Sequence, residues 1–214
     1  MTKISAVPAG VAVDSPYPAG NWQLLPQARV TPLPEGKRGF LHKVILWMSR
    51  RQGKSKEDMT VISTLLRLGP LAPRYLLFVS NLLFKGGISR QDKERVILRV
   101  AWRTGSVYEW AHHVALGLDA GLSREEIDSF GQDDSPLWTP RTRAFVQAID
   151  ELHVRQSLGE EKWRELALFL SEDLCVEFLV LVGHYVMAAT MLNTLGVRLE
   201  PEFSIGKLPP PVSR

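Results

Sequence analysis

The stretch Ser89–Gly121, SRQDKERVILRVAWRTGSVYEWAHHVALGLDAG, decides how the rest of the chain is read. It divides into two helices at Gly105. Ser89 can cap a free backbone N–H, and Asp92 follows three residues later, so the first helix begins near Arg90. Glu94, Ile97, Leu98 and Ala101 recur at i, i+3, i+4 and i+7, which puts a carboxylate on an apolar face. Glu94 is therefore a candidate buried acid. The plainer alternative places it at the edge of that face, paired with Arg90, Arg95 or Arg99, because carboxylates are seldom buried without a partner.

The second helix starts at Ser106. Ser106-Val107-Tyr108-Glu109 has the form of a capping box, which by itself would account for Glu109. At about 100° per residue, Val107, Ala111, Val114, Ala115 and Leu118 share one face, with Trp110 at its margin. Glu109 and His113, at i and i+4, point the other way together with Leu116 and Ala120. That side is not a plain solvated face, so a second buried surface is expected there, supplied by a pocket or a subunit contact. Tyr108 and His112 form a neighbouring i, i+4 pair, and spacing alone does not choose between the two histidines.

The run RVILRVAWRTGSVYEWAHH followed by AGLS resembles the carboxymuconolactone decarboxylase family, which belongs with the alkylhydroperoxidase D-like proteins. Weaker similarity extends from about Leu65, through LLFKGGIS, to the helix ending NTLGV. In the peroxidase branch of that superfamily a Glu is followed by a Cys-x-x-Cys pair and then by a His four residues after the second Cys. Glu94 and His113 match the Glu and the His, but Ser106 and Glu109 stand where the two cysteines would be. The resemblance thus implies an all-α, alkylhydroperoxidase D-like bundle. It also implies a site without the thiols of peroxide reduction and a homo-oligomeric assembly.

With 214 residues, 45% of them hydrophobic and 23% charged, the chain can bury one good-sized core. A formal charge of +3, evenly spread, argues against nucleic acid or an anionic membrane as partner. The single cysteine, Cys175, excludes an intramolecular disulfide, is compatible with the cytoplasm, and reads as a small buried hydrophobe. Residues 1–39 carry Pro and Gly at intervals and read as an extended arm. Residues 40–200 read as one all-helical domain and residues 201–214 as an irregular tail.

Within that domain, helices are expected from about Phe40 to Gly53, Lys56 to Leu68 and Pro73 to Lys85. Beyond the central pair, further helices are expected after Ser123, after Thr139-Pro140 to about Arg155, and around Glu160–Leu170 with Trp163, Leu166, Ala167 and Leu170 inward. The last runs from Ser171 to a C-cap at Gly196. In this last helix Glu177, Val180, Leu181, His184 and Ala188 fall on one face, so His184 can reach the pocket of His113. No segment alternates with period two.

Decarboxylation of a small cyclic acid or lactone needs a proton donor beside the reacting carbon and a group that stabilises the electron density left behind. The expected catalytic set is His113 as proton shuttle, Glu109 as the group that orients it, and Glu94 as a buried donor. Tyr108, Trp110, His112 and His184 are expected to bind substrate. No cofactor is implied. A metal is disfavoured, because the adjacent His112 and His113 diverge by about 100° and no H-E-x-x-H is present. Two readings of other classes stand beside the enzyme acting on a small-molecule substrate: a thiol-dependent hydroperoxide reductase, and a non-catalytic ligand-binding or assembly protein.

Overall fold

A central helix, Arg90–Thr104, packs against four others, and that arrangement follows from a face that is apolar almost all round: Val96, Ile97, Leu98, Val100 and Ala101 are all buried. In chain order the helices are α1 (Phe40–Gly53), α2 (Thr60–Leu65), α3 (Ala72–Phe84), α4 (Arg90–Thr104), α5 (Val107–Asp119), α6 (Arg124–Ser129), α7 (Pro140–Arg155), α8 (Glu160–Ala167) and α9 (Glu172–Leu195). The computed structural model describes residues 20–23, 25–53 and 57–203, with the side chains of residues 52, 53 and 202 excepted. Among the described residues there is no strand, so the fold is all-α. Of the expected arm and tail, residues 1–19 and 204–214 lie outside the described residues.

The caps expected from sequence form. Ser89 Oγ accepts from Asp92 N, Ser123 from Glu126 N, Thr139 from Thr142 N and Ser171 from Leu174 N. Gly105 ends α4 with φ at +64°, and a Cβ there would stand 2.0 Å from the Asn21 carbonyl oxygen, so no other residue fits this corner. Two expectations change. The second helix is only Thr60–Leu65, because Gly69 and Pro70 break the pattern and the chain continues as a 3-10 turn over Leu66–Leu71. In α8 only Leu166 and, just beyond it, Leu170 turn inward, while Trp163 and Ala167 are exposed.

Two core clusters lie on either side of α4. One joins it to α3, α7 and α9 through Ile97, Phe145, Ile149, Phe178 and Leu181. The other joins it to α5, α6 and α7 through Leu98, Trp110, Ile127, Phe130 and Trp138. Arg99 lies fully buried beside the second cluster and is matched at every arm. It makes a bidentate pair with Asp150 at 2.8 and 2.5 Å and donates to the Phe130 and Gln132 carbonyls, with its plane over the Trp102 ring. At the other end of α4 the buried Lys93 donates to the Leu82 carbonyl at 2.7 Å and faces Glu177 at 3.4 Å. Glu177 in turn accepts from the Gly87 and Ile88 N–H groups. Glu177 therefore closes the α3–α4 corner. It does not share a pocket-facing surface with His184, and Val180 on the same expected face is 40% exposed.

Candidate functional site

The packing of α5 between α4 and α9 buries both of its sides, so Glu109, His112 and His113 are all less than a tenth exposed. On the α4 side, Glu94 Oε2 lies 2.7 Å from His113 Nδ1. None of the three arginines that could have taken Glu94 does so. Arg90 pairs with Asp119, Arg95 with Asp92 and Glu126, and Arg99 with Asp150. A carboxylate on Nδ1 fixes the ring and leaves Nε2 as the imidazole atom free to exchange a proton.

Around His113 the neighbours come from α9 and α3. The Tyr185 ring stands edge-on to His113 and to His184, with centroids 5.1 Å away in each case. His184 is further flanked by Tyr75 and Phe78, each at 5.7 Å. Glu109 sits one helical turn before His113, and neither of its oxygens has a hydrogen-bond partner. Burial pushes its carboxyl up to about 8. Ser106 Oγ is near enough to ease that shift but meets neither oxygen in hydrogen-bond geometry. The expected Ser106–Glu109 capping box is therefore not formed. His184 Nδ1 is also buried without a partner, and desolvation, then His113, pulls this imidazole down to about 4. Burial and Glu109 raise the Tyr75 hydroxyl, and burial, Glu94, Glu109 and Tyr75 raise that of Tyr185.

At neutral pH this leaves a centre with one hydrogen-bonded carboxyl–imidazole pair, a carboxylic acid that keeps its proton, a neutral imidazole and an aromatic wall. Glu94, expected as the donor, is bonded to His113, whereas Glu109, expected to orient that ring, makes no bond to it. Tyr185 was not foreseen. Tyr185 follows His184 in a uniformly apolar helix, where periodicity does not distinguish a pocket face from a core face.

The other expected binding residues go elsewhere. Trp110 is 1% exposed within the second core cluster and meets Trp22 edge-on at 5.5 Å. Tyr108 and His112 stack on each other at 4.5 Å and both bind Glu200, Tyr108 Oη donating to Oε1 at 2.6 Å and His112 Nε2 lying 2.7 Å from Oε2. The Thr60 N–H donates to Oε1 at 2.5 Å, the Val61 N–H donates to Tyr108 Oη at 3.2 Å, and Phe203 covers the His112 ring at 4.1 Å. Burial would raise Glu200, but His112, Tyr108 and the Thr60 N–H outweigh it and bring the carboxyl down to about 2. A boundary between domain and tail at residue 200 would thus cut through a packed contact. Among the described residues no group of three or more His, Cys, Asp or Glu side chains is arranged to hold a metal ion. Cys175 is buried in the first core cluster with its thiol pushed up by burial.

Residues 70–151, which include Glu94, Glu109 and His113, match the carboxymuconolactone decarboxylase family. Solved structures extend the likeness to the whole bundle. The alkylhydroperoxidase AhpD core of a peroxidase-related protein from Ralstonia eutropha JMP134 has a TM-score of 0.69 at 16% identity, covering 86% of this chain and 99% of that one. A variant of the debrominase Bmp8 in complex with 2,3,4-tribromopyrrole has a TM-score of 0.67 at 15% identity, covering 83% and 95%. A peroxidase-related protein from Silicibacter sp. TM1040 has a TM-score of 0.68 at 11% identity, covering 85% and 93%. At these identities they establish an AhpD-like fold. No curated protein matches the sequence.

Proposed function

We propose that the carboxymuconolactone decarboxylase-like centre performs acid/base proton transfer on a small cyclic acid or lactone, with decarboxylation as its most direct form. The observation that carries this reading is the buried Glu109 carboxyl, unpartnered and protonated near neutrality, one turn from an imidazole whose orientation Glu94 fixes. In such a reaction the bond between ring and carboxylate breaks, carbon dioxide leaves, and the electron pair moves into the conjugated carbonyl. Glu109 then supplies the proton that forms the new C–H bond, and His113, whose Nε2 is free to exchange a proton, relays the proton that restores Glu109. The neutral His184 and the aromatic wall of Tyr75, Phe78 and Tyr185 suit a small, flat, partly apolar substrate.

Thiol-dependent peroxide reduction is disfavoured by the same geometry. Ser106 and Glu109 occupy the two cysteine positions of the superfamily motif, and Cys175 precedes Tyr185 by ten residues, about 15 Å along α9. The test is a panel of small lactones and muconate-like diacids, followed by carbon dioxide release and proton uptake, with hydroperoxides as a separate arm. Turnover of a lactone or diacid that collapses in His113→Ala supports the proposal. Ligand binding without turnover, unchanged in His113→Ala and Glu109→Gln, would assign the protein to the non-catalytic class, and peroxide consumption lost in Cys175→Ser would restore thiol chemistry.

A further inference from the structure

Helix α1 is held to the bundle along one side only. Leu46 is buried with Leu66 and Ala72, and Ile45 and Leu76 pack on the same cluster. At about 100° per residue, Phe40, Leu41, Val44, Trp47 and Met48 share an opposite arc about 120° wide. Phe40 is 85% exposed, and Leu41, Trp47 and Met48 are exposed by 54, 51 and 49%. This helix therefore turns a broad apolar stripe away from the protein, where a helix of a globular fold ordinarily carries its polar side.

The surroundings of the stripe are basic. Residues 37–56 hold seven Lys or Arg and no Asp or Glu, which leaves 19 cations against 23 acids in the rest of the chain. The net charge of +3 is thus not evenly spread, but combines one basic segment with a weakly acidic remainder. In the described part of that segment, Arg38 and Arg50 close on Asp58 at 2.9 and 3.2 Å. Lys37, Lys43 and Arg51 are exposed, with no carboxylate partner among the described residues. The Arg51 guanidinium lies 4.8 Å from the centre of the Trp47 ring.

Shape and charge together decide what covers this face. It is one convex helix with its inner side already packed, so it does not enter a groove as a free amphipathic peptide does. Its 14 residues rise about 21 Å, short of the ~30 Å hydrocarbon core, so it does not cross a bilayer. An apolar arc with an edge Trp, basic margins and no acid suits a helix lying in the plane of an anionic membrane surface. There the rings sit at headgroup level and the long basic side chains reach the lipid phosphates.

We propose that α1 docks the protein on an anionic lipid surface, with Phe40, Leu41, Val44, Trp47 and Met48 inserted at headgroup level and the basic segment on the lipid phosphates. Leu46 seats α1 against Ala72, the first residue of α3, so docking sets α3 one helix away from the lipid. That helix carries Tyr75 and Phe78, which flank His184. Docking of this kind does not depend on the chemistry at His113.

The test is co-sedimentation of the full chain with equimolar phosphatidylcholine–phosphatidylglycerol vesicles, and with phosphatidylcholine alone, in about 0.1 M salt. The wild type is expected to pellet several-fold more with the mixed vesicles, and to be released as salt approaches about 1 M. Phe40→Glu/Trp47→Glu is expected to stay in the supernatant, with unchanged circular dichroism because both positions are exposed. Independently, in a Cys175→Ser background, a polarity-sensitive fluorophore on Met48→Cys is expected to shift to the blue on mixed vesicles. The same fluorophore on Val154→Cys, exposed on α7, is expected not to shift. A wild type that ignores the mixed vesicles, equal pelleting of the double variant, or equal shifts at positions 48 and 154 would overturn the proposal. A shift at position 48 that poly-glutamate produces as fully as the vesicles do would also overturn it, giving the face to an acidic polypeptide.

Discussion

His112 and His113 are consecutive residues of one helix, and the structure puts them to opposite uses. On the His112 side the Glu200 carboxyl, the Tyr108 hydroxyl and His112 Nε2 are all answered. Glu200 is bound by His112, Tyr108 and the Thr60 N–H, and Phe203 closes the stack, so that the end of the described chain and the start of α2 are clasped to α5. On the His113 side a single bond to Glu94 fixes the ring, while Glu109 and His184 Nδ1 are buried with nothing to bond. Completed networks stabilise a fold, whereas buried polar groups without a protein partner are uncommon and concentrate where strain or chemistry is placed. The pKa shifts follow the same division, since the Glu200 carboxyl goes down to about 2 and the Glu109 carboxyl up to about 8.

The largest effect separating the two sides is on turnover. On a substrate from the lactone and diacid panel, His113→Ala is expected to lower kcat about 10²–10⁴-fold, the usual worth of a general acid/base, with circular dichroism showing the fold retained although the buried Glu94 loses its partner and the urea midpoint falls. A variant equally active, or one that unfolds, would erase the distinction. Glu200→Ala reverses the pattern. It strands His112, Tyr108 and the Thr60 N–H in a buried site and is expected to cost about 3–5 kcal/mol in urea unfolding, with circular dichroism of the surviving fold unaltered.

Stability against pH sharpens the comparison further, because the two carboxyls give slopes of opposite sign. Glu200 binds protons less readily folded than unfolded. Its contribution is whole above pH 4.5 and fades as pH falls from 4.5 towards 2, with His184, held near 4, adding to the loss between 6.5 and 4. Glu109 does the reverse. Its contribution is whole below pH 4.5 and fades, by on the order of a few kcal/mol, as pH rises from 4.5 to 8. Urea midpoints measured across pH should lose the part of the acid arm below pH 4.5 in Glu200→Gln and the alkaline arm in Glu109→Gln, and an unchanged profile in either variant counts against its assigned carboxyl. The smallest effect is expected from Tyr108→Phe, about 1–3 kcal/mol, since one acceptor for the Val61 N–H and one donor to Glu200 are lost.

Much of this was legible in the sequence where the signal is local. The Ser89, Ser123, Thr139 and Ser171 caps, the break at Gly105 and the burial of Glu94 all follow from residues within one or two turns of each other. The pairing of Glu94 with His113 joins two helices, and spacing alone allowed either glutamate to hold the ring. Glu200 was invisible for a related reason. It lies 88 residues from His112 in a Pro-flanked segment with no periodicity, and only the folded chain brings it to α5. Trp110 and His112 look alike as pocket-wall candidates on a helix whose first two turns are wholly buried, because when both sides of a helix are covered its pattern no longer says which side is the site.

The most direct test of the account is the protonation state of Glu109, read by infrared spectroscopy of the protein in solution as pH is raised, with Glu109→Gln as reference. The account predicts a protonated-carboxyl C=O band at pH 7 that is absent from Glu109→Gln and disappears from the wild type as pH passes about 8. A wild-type spectrum at pH 7 without that band would show Glu109 already ionised, and the proton donor of the proposed chemistry would be gone.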